Sequence, residues 1–196
     1  MSMWGFKLDE VNQWAHVEKI FTPEECKTLI DIALKKPKSE AYIKNGDNQT
    51  QFIDTTIRNN NVIWLNPGDK GMEYYYKKLT DVVMGLNHQF FKFDLYGFTE
   101  MMQFTEYNQP GDNYKQHIDK IFMSTIRKLS IVVQLTDPSE YDGCNLELYS
   151  SYAPEIMTRS QGSVIAFPSY ALHQVTPIIK GTRHSLVAWI GGPNFK

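Results

Sequence analysis

Cysteine is scarce here: the 196 residues include only Cys26 and Cys144. That argues against a disulfide-stapled scaffold and nearly excludes a thiolate zinc site, which needs clustered cysteines. Long apolar runs are missing too. Nothing approaches the ~20 residues that span a bilayer, and the opening "MSMWGFKLDEVNQW" has no secretory-type apolar stretch. A cytoplasmic protein with no membrane partner is the expectation. Basic surplus is also lacking: Lys+Arg 20 against Asp+Glu 22 gives a net charge of -2, which disfavours a nucleic-acid partner. No repeat or low-complexity linker divides the chain, so one domain over residues 1–196 is expected, long enough to bury a core unaided.

What is present begins with a helix signal. In "FTPEECKTLIDIALKK", Thr22 is placed to cap, Pro23 suits the first helical position and Glu25 completes a capping box. Cys26, Leu29, Ile30 and Ala33 then trace one buried face. A second helix is expected over about 67–91, started by Asn66-Pro67 and striped by Tyr75, Leu79, Val82, Val83, Leu86 and Phe90. Between the helices, the polar stretch 38–61 reads as a surface loop with a short strand, or as a flap beside a site. From Tyr96 onward short β-type runs alternate with turns at Pro110-Gly111, Asp137-Pro138, Asp142-Gly143, Gly162 and Lys180-Gly181. The pattern is α+β: residues 1–95 as helical support and flap region, 96–196 as a β core.

Chemistry enters at "YKQHIDK". On a strand, residues two apart share a face, so His117 and Asp119 project together as one nitrogen and one oxygen donor. Without a thiolate, that pair suits iron, manganese or zinc. A third ligand is needed. Of the remaining histidines, His16 precedes the first helix and His88 sits on the second, whereas His173 begins a strand after "GSVIAFPSYAL". Ten residues on, Arg183 opens "RHSLVAWI", where parity groups it with Ser185, Val187 and Trp189. An inward-facing arginine needs an anionic partner. Two readings stand: a structural pair with a carboxylate of the chain, or a bound ligand's carboxylate with Ser185 adding a hydrogen bond.

Two histidines and a carboxylate with open positions form the facial triad of non-haem Fe(II) oxygenases. The order H-x-D, about 50 residues, His, then Arg resembles the 2-oxoglutarate- and Fe(II)-dependent dioxygenases, and within them the prolyl-4-hydroxylase-type enzymes. "YNQPGDNYKQHID", "RKLSIVVQL", "DGCNLEL" and "GTRHSLVAW" each match a segment of that family. Two departures stand out: Gln134 replaces a frequent tyrosine, and Cys144 the commoner second glycine.

The resemblance implies a distorted double-stranded β-helix (jelly roll, cupin-like) with N-terminal helices packed on the major sheet. It implies Fe(II) on His117, Asp119 and His173, with 2-oxoglutarate held by Arg183 helped by Tyr107, Ser185 and Gln134. Tyr114, Trp189 and Arg127 are candidate substrate contacts. O2 is the co-reactant, with ascorbate as an accessory reductant. The implied substrate is a prolyl residue in a peptide or protein. The alternatives are the same chemistry on a free amino acid, small metabolite or nucleobase, or a non-catalytic cupin-like metal-binding module.

Overall fold

The computed structural model describes residues 12–40, 43–44, 51–52, 56–119 and 126–194. Part of the expected flap (41–42, 45–50 and 53–55) lies outside them.

Helix α1 (Pro23–Leu34) begins at the expected capping box, with the Thr22 hydroxyl accepting from Glu25 N and Glu25 accepting from Thr22 N. Glu25 also accepts from the Lys78 ammonium at 2.8 Å and from the Tyr74 hydroxyl, which ties α1 to α2 (Met72–Leu86). Burial works against ionising Glu25, but Lys78, Tyr74 and the Thr22 N–H prevail and hold its carboxyl down at about 2, below the ordinary 4.5. A lowered folded value means that this stability is complete above about pH 4.5 and is lost as pH falls through about 2. Glu25→Gln is therefore expected to cost about 1 kcal/mol at neutral pH. Urea unfolding should show that difference shrinking towards acid; an unchanged gap would mean the bonds to Glu25 carry no charge-dependent stability.

α2 starts at Met72 rather than near Pro67, because residues 66–69 close a turn first: Asp69 accepts from Asn66 N at 2.7 Å and Asn66 from Gly68 N at 2.9 Å. Tyr75, Leu79, Val83 and Leu86 are its buried stripe, as the periodicity implies, and a π-turn over Asn87–Phe91 ends it.

Behind the helices lies an antiparallel major sheet. Its path is β1 (Ala15–Val17), β14 (Val164–Pro168), β10 (Ile126–Gln134), β17 (Arg183–Gly192), β8 (Met102–Tyr107), β6 (Asn61–Leu65) and β2 (Ser39–Glu40), with β7 (Gly97–Phe98) beside the end of β17. A minor sheet faces it: β13 (Glu155–Ile156), β12 (Leu146–Tyr149), β15 (Leu172–Val175), β9 (Asn113–His117) and β5 (Arg58–Asn59). Two two-stranded ribbons complete the strands: β3 (Ile43–Lys44) with β4 (Gln51–Phe52), and β11 (Tyr141–Gly143) with β16 (Ile178–Gly181). Residue 95 is no boundary within the sheets, since β1, β2, β5 and β6 all come from the first half of the chain.

The three layers enclose two cores. Leu129, Ile131, Val133, Leu186 and Ala188 pack with the helices, whereas Val132, Ile165, Phe167, Leu146 and Val175 fill the space between the sheets. Strands β8 and β14 are buried on both faces, so they show no polar–apolar alternation in exposure. Cys26 and Cys144 are both buried and free, one in each core. This arrangement is the double-stranded β-helix implied by the resemblance, with its helices on the major sheet.

Candidate active site

Strand pairing assembles the site. In the minor sheet, β15 pairs with β9 so that His173 lies opposite His117, and their rings sit 4.1 Å apart. Asp119, just past the end of β9, is anchored by its N–H to the Ser169 carbonyl at 3.0 Å. His117, Asp119 and His173 bring their ligand atoms within 4.8 Å of one another.

The hydrogen bonds to the two imidazoles of the triad are made through Nδ1 and leave Nε2 available to a metal. His117 Nδ1 lies 2.7 Å from the Lys115 carbonyl, and His173 Nδ1 lies 2.9 Å from the Ala171 carbonyl. A carbonyl only accepts, so each Nδ1 carries the proton and each Nε2 keeps a lone pair. Burial and then the neighbouring His173 push the His117 imidazole down to about 3, so it is neutral near pH 7, as a metal ligand must be. For Asp119, burial favours the protonated acid, but His173 and His117 in their protonated forms, the Ser130 hydroxyl and Arg127 outweigh it and hold the carboxyl below its usual range. Two neutral nitrogens and one carboxylate oxygen, with no thiolate, fit a divalent iron-type ion.

Ser130 donates a short hydrogen bond to Asp119 Oδ2 and lies 2.9 Å from the Ser169 hydroxyl. Ser130 is buried on β10, and its bond goes to a ligand residue. It fixes the carboxylate's direction, so Ser130→Ala is expected to weaken metal affinity about 10- to 100-fold while the fold persists. Metal titration with a melting curve checks this; unchanged affinity would make the bond incidental.

The major sheet supplies the second half. Register sets Arg183 opposite Tyr107, Ser185 opposite Thr105 and Gln134, and Trp189 opposite Ser130, forming one inward-facing array. Arg183 is 1% exposed, and among the described residues no carboxylate pairs with it. Its neighbours are the Gln134 amide oxygen (2.9 Å from Nη2 and 3.2 Å from Nε), Cys144 Sγ at 4.0 Å from Nη1, and the Tyr107 ring. A buried guanidinium whose neighbours are all neutral is costly unless an anion joins it. Cys144 reaches it from a tight turn: Gly143 (φ +71) and Cys144 (φ +53) are both left-handed. A Cβ on Gly143 would lie 2.4 Å from the Pro177 carbonyl, so only glycine fits there. Burial raises the Tyr107 hydroxyl far above its ordinary value, so it stays protonated and able to donate. Ser185 Oγ reaches Thr105 Oγ1 at 3.4 Å.

Of the three candidate substrate contacts, Tyr114 stacks on His117 with ring centroids 3.5 Å apart. Arg127 lies over the Trp189 ring at 3.9 Å, is bonded to Glu100 and approaches Asp119 at 3.9 Å, so much of its fork is already engaged. Lys128, next to Arg127 in sequence, is buried, with its ammonium 6.0 Å from the Phe93 ring. Trp189 Nε1 is buried without a hydrogen-bond partner among the described residues. His16 and His88 are exposed and lie outside the triad.

One residue escaped the sequence reading. Arg58 on β5 pairs in register with Tyr114 and places its guanidinium 4.5 Å from that ring. It is buried, bonds Asn60 through Nε at 2.9 Å, and has no carboxylate partner among the described residues. The signal was the run "IRNNNVIWL", whose apolar end reads as strand but whose asparagines read as loop.

This layered β-helix carries a His–Asp–His triad on one sheet and a buried arginine on the facing one. Residues 102–191 match the 2OG-Fe(II) oxygenase superfamily. More particularly, the fold is prolyl-4-hydroxylase-like. A Pseudomonas putida prolyl-4-hydroxylase superposes with a TM-score of 0.73 at 20% identity, covering 93% of this chain and 94% of that one. A Trichoplax adhaerens prolyl hydroxylase, solved with a hypoxia inducible factor peptide, gives 0.77 at 15% identity over 92% of this chain and 84% of that one. In sequence, a PKHD-type hydroxylase of Prochlorococcus marinus is 38% identical over 81 residues, 41% of this chain and 37% of that protein. One from Shewanella baltica is 36% identical over 87 residues, 42% of this chain and 39% of that protein. The chain thus aligns with under two fifths of the length of these curated relatives. Among the described residues, no helix is long and apolar enough to cross a membrane.

Proposed function

We propose that this protein is an Fe(II)- and 2-oxoglutarate-dependent dioxygenase that hydroxylates a prolyl residue in a peptide or protein. The observation that carries this reading is Arg183: a buried cation with no carboxylate partner among the described residues, in the same interior as a three-ligand metal triad. A metal-binding module without turnover has no use for that uncompensated charge; a dicarboxylate co-substrate does.

His117, Asp119 and His173 would hold the metal, which when bound supplies oxygen activation coupled to decarboxylation of 2-oxoglutarate to succinate. The chain's own contribution is orientation and shielding. The Lys115 and Ala171 carbonyls keep both imidazoles in the ligating tautomer. Arg183 neutralises the co-substrate's far carboxylate, with the Tyr107 and Ser185 hydroxyls as added donors. Tyr114, stacked on His117, walls the centre, while Arg58, Arg127 and Trp189 form a cationic and aromatic rim suited to a peptide backbone.

The prolyl substrate is favoured by that rim and by the names of the similar proteins, one of which was solved holding a peptide. Incubation with Fe(II), 2-oxoglutarate, O2, ascorbate and a proline-rich peptide pool should add one oxygen atom to a prolyl residue. Oxygen added only to non-prolyl peptides, amino acids or nucleobases would overturn the substrate while leaving the chemistry in place.

A further inference from the structure

Taking the pocket at Arg183 as the co-substrate site, we infer that Gln134 is a positioning residue, which acts on the co-substrate only through Arg183 and leaves just the outer end of its guanidinium for the far carboxylate. Gln134 stands opposite Ser185, so Arg183 is its diagonal neighbour two residues along β17, within reach of a long side chain. Its amide oxygen accepts from both Arg183 Nε (3.2 Å) and Nη2 (2.9 Å), and so fills the side-on fork of the guanidinium. Its amide nitrogen donates to the Thr158 carbonyl at 2.9 Å, and its backbone accepts from Gly162 N at 2.7 Å and donates to Ser163 O at 3.0 Å. Both ends of the amide are thus engaged by the chain.

The guanidinium keeps its outward fork, made by Nη1 and the remaining Nη2 proton, with Cys144 Sγ 4.0 Å from Nη1. A carboxylate of the co-substrate would meet the arginine end-on, beside Cys144 and the Tyr107 ring. The neutrality of the amide matters as much as its geometry. It locks the arginine's orientation without cancelling its charge, so the full positive charge is kept for a ligand. A carboxylate at position 134 would satisfy the same fork and compete electrostatically with the co-substrate.

The experiment is calorimetric binding to the Mn(II)-loaded protein without turnover, using 2-oxoglutarate and 2-oxopentanoate, which lacks the far carboxylate. Gln134→Glu should weaken 2-oxoglutarate by at least about 30-fold, as for loss of one buried charged contact, and 2-oxopentanoate by no more than a few fold. Gln134→Leu, which frees the arginine without neutralising it, should shift 2-oxoglutarate by about 10-fold and leave 2-oxopentanoate unchanged. It also stands in if Gln134→Glu does not fold. Equal losses for both ligands would show a merely structural glutamine, and unchanged 2-oxoglutarate binding would overturn the role outright. Wild-type protein that binds 2-oxopentanoate and 2-oxoglutarate equally would overturn the co-substrate reading of Arg183, and this role with it.

Discussion

Asp119→Ala is expected to lose essentially all 2-oxoglutarate turnover and more than about 100-fold in metal affinity, since altering even the residues behind a ligand costs 10- to 100-fold. The domain should stay folded. Asp119 lies past the end of β9, the partners it leaves behind have others, and no apolar core side chain is removed: Ser130 keeps Ser169, and Arg127 keeps Glu100. Succinate production, metal titration and a melting curve, read together, check this. A cooperatively folded variant with wild-type turnover would remove Asp119 from the metal site.

Arg183→Met is expected to raise the 2-oxoglutarate requirement by about 30- to 4,000-fold, the range spanned by 2–5 kcal/mol for a buried charged contact. Metal affinity should hold, because Arg183 lies on β17 of the facing sheet and the ligands come from the β9–β15 pair. The ligand-free melting temperature should stay level or rise. In the free protein the guanidinium has only neutral neighbours, and replacing such a buried charge with an apolar side chain of similar volume is often neutral or stabilising. A structural arginine would behave oppositely, with a large loss of stability and little change in co-substrate requirement. The pair of measurements separates the two readings that the sequence left open for Arg183.

Much of this site was legible before the fold, for a physical reason. Strand period two is rigid, so one correctly placed strand assigns a whole row of side chains to a face. His117 with Asp119 and Arg183 with Ser185 followed from that rule, and the structure brings each pair onto a common interior. Parity assigns a face, though, and does not choose a partner. The resemblance put Gln134 on the co-substrate, whereas its amide is taken up by Arg183 and Thr158. Arg58 stayed hidden for another reason: β5 is only two residues long, and its pairing with β9 joins segments about 55 residues apart. No local pattern carries such a contact. The start of α2 was misplaced because Asn-Pro serves a turn as readily as a helix, and side-chain bonds from Asn66 and Asp69 chose the turn.

The central claim is that the triad and Arg183 serve one bound co-substrate, and anaerobic absorption spectroscopy tests it most directly. Fe(II) and 2-oxoglutarate added together to the wild type should produce a metal-to-ligand charge-transfer band that neither gives alone. In Arg183→Met the band should appear only at much higher 2-oxoglutarate, and in Asp119→Ala it should be absent. A band that forms equally in all three proteins, or in none, would contradict the account.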